Sequence, residues 1–304
     1  MTKPDAILIA GPTASGKSQL ALESARRVGG EIVNTDSMQI YDVLRALTAR
    51  PSTEDEAVVS HHLYGFVSPL ESFSVAKWLK LATTIADEIG ARGNVPVFVG
   101  GTGLYFKALE NGLADVPVIP EEIRAPIRQA LLQDGSEALH RRLASVDAES
   151  AACLLPSDGQ RVARALEVFE AAGKSLKSFQ QDAKSIAYLN RRCVDKILLM
   201  PERAKLHKRI NLRTTWMMEH GAVGEVRNLL AVDLPPDATV MQAIGVKPLD
   251  AYLSGRSSFE EALEKTRDAT RQYAKRQSTW FRRQHGDEWR HIETASEALT
   301  HICG

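Results

Sequence analysis

The run Gly11-Pro12-Thr13-Ala14-Ser15-Gly16-Lys17-Ser18 carries the clearest chemistry in this chain of 304 residues. It follows an apolar stretch, Ala6-Ile7-Leu8-Ile9-Ala10, and opens a helical pattern at Gln19-Leu20-Ala21-Leu22. Strand, glycine-rich turn and helix in that order are the setting a P-loop requires. Glycines let the backbone curl until successive N–H groups point at one anion. The new helix N-terminus adds the positive end of its dipole. Lys17 supplies a mobile charge for the terminal phosphates, and the Ser18 hydroxyl is placed to hold Mg²⁺. The loop predicts binding of a diphosphate or a triphosphate and does not by itself say which.

Two other polar residues end apolar runs. Asp36 follows Glu31-Ile32-Val33-Asn34-Thr35 and precedes Ser37-Met38-Gln39-Ile40-Tyr41. It could take a proton from a nucleophile bound over the loop, assist Mg²⁺ at Ser18, or cap a following helix or Asx-turn. Thr102 lies in Gly100-Gly101-Thr102-Gly103 after Val95-Pro96-Val97-Phe98-Val99. Its hydroxyl could orient a ligand oxygen, or the segment could be an ordinary strand-to-helix turn. His61-His62 are adjacent, so their side chains diverge and a shared metal is not expected. Arg161 and Arg164 share one helix face at i, i+3, and Arg209 and Arg213 another at i, i+4. Phosphate contacts and ion pairs with Asp158 or Glu167 are both open to the first pair. The second could neutralise a leaving diphosphate if it reaches the cleft.

The elements that must carry these residues alternate strand and helix over the first third of the chain, which implies a parallel sheet. Ligands of such sheets sit at the carboxyl ends of the strands. The loop, Asp36 and Thr102 all fall there, so one shared cleft is expected. Residues 1–112 read as the first part of an α/β core and residues 113–180 as a helical insertion. Residues 181–304 complete the core with a strand at Lys196 to Met200, after which only helix is expected, broken at Pro235-Pro236. The last long helix reads from about Ser258 to Gln284.

Composition is that of a globular chain, 44% hydrophobic and 25% charged. The sequence has no apolar run long enough for a bilayer, and its N-terminus leaves no room for a signal peptide. Cys153, Cys193 and Cys303 are widely spaced, which suggests neither a disulfide framework nor a zinc site. A cytoplasmic protein is therefore expected. Net charge is zero, with 38 basic and 38 acidic residues, so only local patches could meet a polyanion. Arg271, Lys275, Arg276, Arg282 and Arg283, interleaved with Tyr273, Trp280 and Phe281, form one; Arg203, Lys205, Lys208, Arg209 and Arg213 form another. For either patch alone, a solvated helix face is the plainer reading.

Taken in order, these blocks are similar to those of the bacterial tRNA isopentenyltransferase family. The blocks are the loop, Asp36-Ser37-Met38-Gln39-Ile40-Tyr41, Thr48-Ala49-Arg50-Pro51-Ser52, His61-His62-Leu63, Phe73-Ser74-Val75-Ala76 and Val99 to Tyr105. Gln160-Arg161 through Val168 follows, then Ala243-Ile244-Gly245 and Thr270 to Arg282. They span nearly the whole chain. Arg50 stands where the family usually has lysine, and Val246-Lys247-Pro248 where it has an aromatic, a basic residue and an acid. These departures bear on local RNA contacts.

The resemblance implies a P-loop NTPase-like core with a parallel sheet flanked by helices, plus an all-helical insertion. It implies transfer of a dimethylallyl group from dimethylallyl diphosphate to the N6 amine of the adenosine 3′ to the tRNA anticodon. Asp36, Thr102 and Arg213 would be catalytic, residues Gly11 to Ser18 would hold the diphosphate, and Mg²⁺ would sit at Ser18. Contacts with the anticodon stem-loop would come from Asp36, Ser37, Met38, Gln39 and Thr102, and from Arg124, Gln160, Arg161, Val162, Ala163 and Arg164. Arg271, Lys275, Arg276, Gln277 and Trp280 would add more. A monomer with no membrane partner is expected. A prenyltransferase acting on free adenylate is the nearest alternative; a P-loop kinase and a non-catalytic RNA-binding protein are more distant ones.

Overall fold

The computed structural model describes residues 3–182, 187–190, 192–235 and 238–302. The chain divides into two compact units, Met1–Lys107 with Arg191–Gly304, and Ala108–Asn190. The sequence places the helical insertion at 113–180.

The first unit is built on a parallel six-stranded sheet. Its strands are β1 (Ala6–Ala10), β2 (Gly30–Asn34), β3 (His61–His62), β4 (Val95–Gly100), β5 (Val194–Leu199) and β6 (Arg290–Ile292). Their order is β3-β2-β4-β1-β5-β6. β1 lies between β4 and β5, with Ile9 opposite Val99 and Ile197. All five residues of β1 and all six of β4 are buried. That is why they read as unbroken apolar runs, as in sheets covered on both faces. One face packs Ile7, Ile9, Val97 and Val99 against Leu20, Ala21 and Ala25 of α1 (Lys17–Val28) and Leu299 of α14 (Ala295–Ile302). On the other side α3 (Val75–Ala91) lies on β2 and β4. Ser74 caps it by accepting from the Lys77 N–H, and Trp78, fully buried, stacks on Tyr105 of α4 (Gly103–Asn111) at 4.0 Å.

Two strands depart from the expectation of helix alone beyond residue 200 and of helices between β2 and β4. β6 pairs with β5 in register Leu198↔His291, and β3 pairs with β2 through His61 and His62. Both are edge strands of two or three residues with polar or exposed members, so no alternation marks them.

A second core joins residues 40–47 to the C-terminal helices. These are α10 (Arg203–Met217), α11 (Val223–Leu230), α12 (Val246–Leu253) and α13 (Phe259–Gln284). A π turn, Met218–Ala222, separates α10 from α11, with Gly221 at φ 116°. The Ser258–Glu261 capping box starts α13.

The second unit is helical. It contains α5 (Glu121–Gln133), α6 (Gly135–Val146), α7 (Ala148–Ala152), α8 (Gly159–Ala172) and α9 (Leu176–Asp182). Ile127, Leu139, Leu143, Val162 and Leu166 form its core. Among the described residues no helix is long and apolar enough to cross a membrane. Cys153 and Cys193 are exposed free thiols; Cys303 and Pro236 lie outside the described residues.

Candidate active site

The loop after β1 turns through left-handed backbone at Ala14 (φ 63°) and Gly16 (φ 99°), and Gly16 is the N-cap of α1. Only glycine adopts the second value without strain, and the pair of turns points N–H groups inward as an anion nest. Ala14 bears a cost of about 1 kcal/mol for the same reason. Three side chains from helices late in the chain hold the loop. Arg209 of α10 donates to the Ser15 carbonyl at 2.8 Å. Arg213, one turn on, donates to Thr13 Oγ1. Gln277 of α13 accepts from the Thr13 N–H at 2.8 Å. Both arginines that the i, i+4 spacing put on one face therefore grip the phosphate-type loop.

Lys17 Nζ lies 3.3 Å from the Pro12 carbonyl. Burial lowers its pKa to about 8; the charge of Asp36 opposes that shift and the charge of Arg213 adds to it. Burial also lowers the pKa of Arg213, again opposed by Asp36. Two cations and one carboxylate thus share a poorly solvated space. The balance favours a ligand that brings negative charge. Ser15 Oγ and Arg213 Nε are buried without a hydrogen-bond partner. Such groups are costly to leave unmet, about 1–3 kcal/mol each.

Asp36 stands two residues beyond β2. Its N–H donates to Asn34 Oδ1 at 2.8 Å, and its Oδ1 accepts from the Met38 N–H at 3.0 Å. This is an Asx-turn, and no helix follows for it to cap. Asn34 is fixed in turn by donating to the Leu63 carbonyl at 2.9 Å, and its own carbonyl accepts from the Trp78 indole. Thr102 Oγ1 accepts from the Ser37 N–H at 2.9 Å and reaches Ser37 Oγ at 3.3 Å. The β2 and β4 loops are thereby tied together.

A cavity of about 300 Å³ lies where Thr13 of the loop, the turn after β2 and helices α10 and α13 meet. Thr13, Asp36, Ser37, Arg213, Tyr273 and Arg276 supply its polar wall. Met38, Leu47, Met217 and Ile244 supply apolar wall. Thr102 supports this wall from behind Ser37. Sequence reasoning missed Leu47 and Met217, and also Glu225, whose carboxylate accepts from the Arg45, Ala46 and Leu47 N–H groups at 3.0, 2.6 and 2.9 Å. A glutamate on a helix carries no local signal of that role. Ser18 opens instead on a second cavity of about 480 Å³, shared with Arg26, Arg50 and Tyr64.

The other residues named from sequence fall into two groups. Lys275, Arg276, Gln160 and Arg161 are exposed. Arg161 pairs with Asp158 at 3.6 Å, Arg164 with Glu167 at 3.3 Å, and Arg124 with Glu121 at 3.8 Å. By contrast, Val162 and Ala163 turn their side chains into the core of the second unit. Gln39 spends its amide on the Thr48 and Ala49 carbonyls at 2.8 and 3.0 Å. Arg271 is held by Glu264, Asp268 and Asn211. Gln277 is buried, and Trp280 packs edge-on against Phe281 and His285. Val246 is buried at the start of α12 while Lys247 is exposed. His61 bonds the Val59 carbonyl and His62 the Glu31 carboxylate, each at 2.7 Å, so the two rings have separate partners.

The family model for IPP transferase matches residues 39–284. The tRNA dimethylallyltransferase of Agrobacterium fabrum (strain C58) is 50% identical over 289 residues, 95% of this chain and 97% of that protein. The tRNA dimethylallyltransferase of Rhizobium meliloti (strain 1021) is also 50% identical, covering 95% of each. Among solved structures, the full-length tRNA isopentenylpyrophosphate transferase of Bacillus halodurans superposes with a TM-score of 0.70 at 34% identity. That match covers 99% of this chain and 95% of the other. A eukaryotic dimethylallyltransferase acting on tRNA gives a TM-score of 0.79 at 28% identity, over 92% of this chain and 70% of that one. A sheet order, loop and cavity built in this way, with relatives matching end to end, make this chain a member of the IPP transferase family.

Proposed function

We propose that the cavity transfers a dimethylallyl group from dimethylallyl diphosphate to the N6 amine of the adenosine 3′ to the anticodon in tRNA. Prenyl transfer to tRNA is the activity carried by the family and its close relatives. The observation that supports the finer reading is the meeting of Asp36 and Arg213 on one cavity wall, with Arg213 bonded to Thr13 of the loop that bears Lys17.

The amine lone pair attacks the primary allylic carbon, the carbon–oxygen bond breaks, and the electron pair leaves with diphosphate. Asp36 takes the proton that the amine sheds, which raises the electron density of a weak nucleophile as the new bond forms. Charge grows on the departing diphosphate. Lys17, Arg213 and the loop N–H groups are already in place to meet it, so little reorganisation is needed. The apolar wall keeps water from the cation-like carbon. Thr102 holds the Ser37 turn so that Asp36 faces the amine. Ser18 is the residue that would hold Mg²⁺, which would supply positive charge against the diphosphate. The adenine must leave the loop stack to reach the cavity, at a cost of a few kcal/mol. Arg276 and Lys275 on one unit, and Arg124, Gln160, Arg161 and Arg164 on the other, supply phosphate and base contacts. We read the enzyme as a cytoplasmic monomer.

A competition experiment separates tRNA from free nucleotide. Anticodon stem-loop RNA and AMP are offered together with dimethylallyl diphosphate and Mg²⁺. Prenylated RNA with unmodified AMP is the expected result, and prenylated AMP with unmodified RNA would overturn the assignment.

A further inference from the structure

Gln277 lies in the stretch of α13 whose basic and aromatic residues suggest an RNA face, yet it is only 6% exposed. It belongs to the buried stripe Thr270, Ala274, Gln277 and Phe281, at the spacing of a core-facing helix edge. An amide there needs partners. It finds one on each of two loops. Its Oε1 accepts from the Thr13 N–H at 2.8 Å, and its Nε2 donates to the Gly101 carbonyl at 2.8 Å. Thr13 belongs to the loop that carries Lys17, and Gly101 precedes Thr102. Neither backbone group is met within its own loop, so the amide closes a link that the sheet ladder leaves open. Tyr273, one turn earlier on α13, lies on the cavity wall.

Gly101 fits the same picture. Its backbone is not left-handed, so conformation does not demand glycine. A Cβ there would lie 2.2 Å from Gln277 Nε2. The glycine leaves room for the amide.

We propose that Gln277 is a positioning residue for prenyl transfer: it locks the diphosphate loop to the Thr102 loop and so fixes the leaving group relative to Asp36. This rests on the reaction proposed above. It also turns the Thr13 N–H away from the anion; with the Ser15 N–H donating to the Pro12 carbonyl at 3.2 Å, the N–H groups of residues 14 and 16–18 are left to bind it. The role differs from a direct RNA contact, because the amide is buried and its hydrogen bonds run to two loops of the protein itself.

The test uses the full chain with Gln277→Met, Gln277→Ala, Gly101→Ala and the double variant Gly101→Ala/Gln277→Ala. Four quantities are read: donor KM and kcat with stem-loop RNA, affinity for inorganic diphosphate, affinity for the RNA, and Tm. Gln277→Met is expected to lower kcat/KM for the donor by about tenfold or more, and to weaken diphosphate binding, with RNA affinity within about twofold. Gly101→Ala should act similarly alone and add little in the Gln277→Ala background, because the amide it displaces is gone. Unchanged donor kinetics with weakened RNA binding would overturn the proposal in favour of an RNA contact. A lowered Tm with unchanged kcat and KM, or fully additive variants, would overturn it in favour of plain packing. If wild type transfers no prenyl group, the reaction fails as a reading, while diphosphate affinity still reports on the brace.

Discussion

The loop after β1 and the turn after β2 face the same cavity and are held in opposite ways. The turn at Asp36 is fixed by near neighbours: Asn34, Met38, and Thr102 across one strand pair. The loop is fixed from far away, by Arg209, Arg213 and Gln277 at sequence separations of 194, 200 and 264 residues. The carboxylate end is therefore a local structure that folds with the sheet. The diphosphate end is set only once α10 and α13 have packed. Substitutions at the first end should act on kcat, and substitutions at the second on the donor.

The largest effect should come from the carboxylate. Asp36→Asn keeps the hydrogen bond from Met38 but cannot accept a proton. Single-turnover transfer should fall by roughly 10²–10⁴-fold, the usual value of a positioned base, with both substrates still bound. Full activity would break the contrast at its strongest point. Next is Lys17→Ala. A charged hydrogen bond of about 2–3 kcal/mol corresponds to a rise in donor KM of roughly 30–150-fold. Unchanged KM and kcat would remove Lys17 from the diphosphate end.

The pH profile sharpens the same comparison. Burial puts the pKa of Lys17 at about 8 in the free protein. Below that pH the ammonium is already charged and donor binding needs no proton. Above it, binding the anion must first recharge the lysine, so donor kcat/KM should fall as pH rises through about 8. Lys17→Arg, which stays charged, should lose that limb. A limb that persists in the arginine variant would assign it to another group.

Along α13, exposure should decide function. Arg276→Ala should weaken RNA binding and reduce the salt slope by about one unit. Arg271→Ala should leave the slope unchanged, since its guanidinium is spent on Glu264, Asp268 and Asn211. Equal slopes for the two variants would send Arg276 back to a solvated face. The smallest effect on turnover is expected at the sheet edge. Burial opposes charge on Glu31, but hydrogen bonds from Arg92, Asn94 and His62 outweigh it and hold the carboxyl near a pKa of about 2. Glu31→Gln should cost about 2 kcal/mol of stability at neutral pH, the size of a charged hydrogen bond, and leave kcat of the folded enzyme intact.

The loop and the turn are both legible in the sequence; the distant side chains that brace the loop are less so. Strand, loop and helix could be read at residues 6–22 because glycine geometry is a short-range property. Asp36 and the loop could be placed in one cleft because β/α alternation puts strand ends on one edge. Helical spacing puts Arg213 on one face with Arg209, and the resemblance implies its catalytic role. Gln277 falls among the RNA contacts that the resemblance implies, beside basic Lys275 and Arg276, and nothing within α13 announces partners at Thr13 and Gly101. Val162 and Ala163 entered the RNA-contact group as part of a contiguous block, although their helical position points them inward. Edge strand β6 carries exposed Arg290 and His291 and only one buried residue, Ile292, too short a pattern to read.

The most direct test is mass spectrometry of unmodified anticodon stem-loop RNA after incubation with dimethylallyl diphosphate, Mg²⁺ and either wild type or Asp36→Asn. Wild type should add one dimethylallyl group, located by fragmentation on the adenosine 3′ to the anticodon, and the variant should add almost none while still binding the RNA. RNA of unchanged mass with wild type, or equal modification by both proteins, would contradict the proposed chemistry.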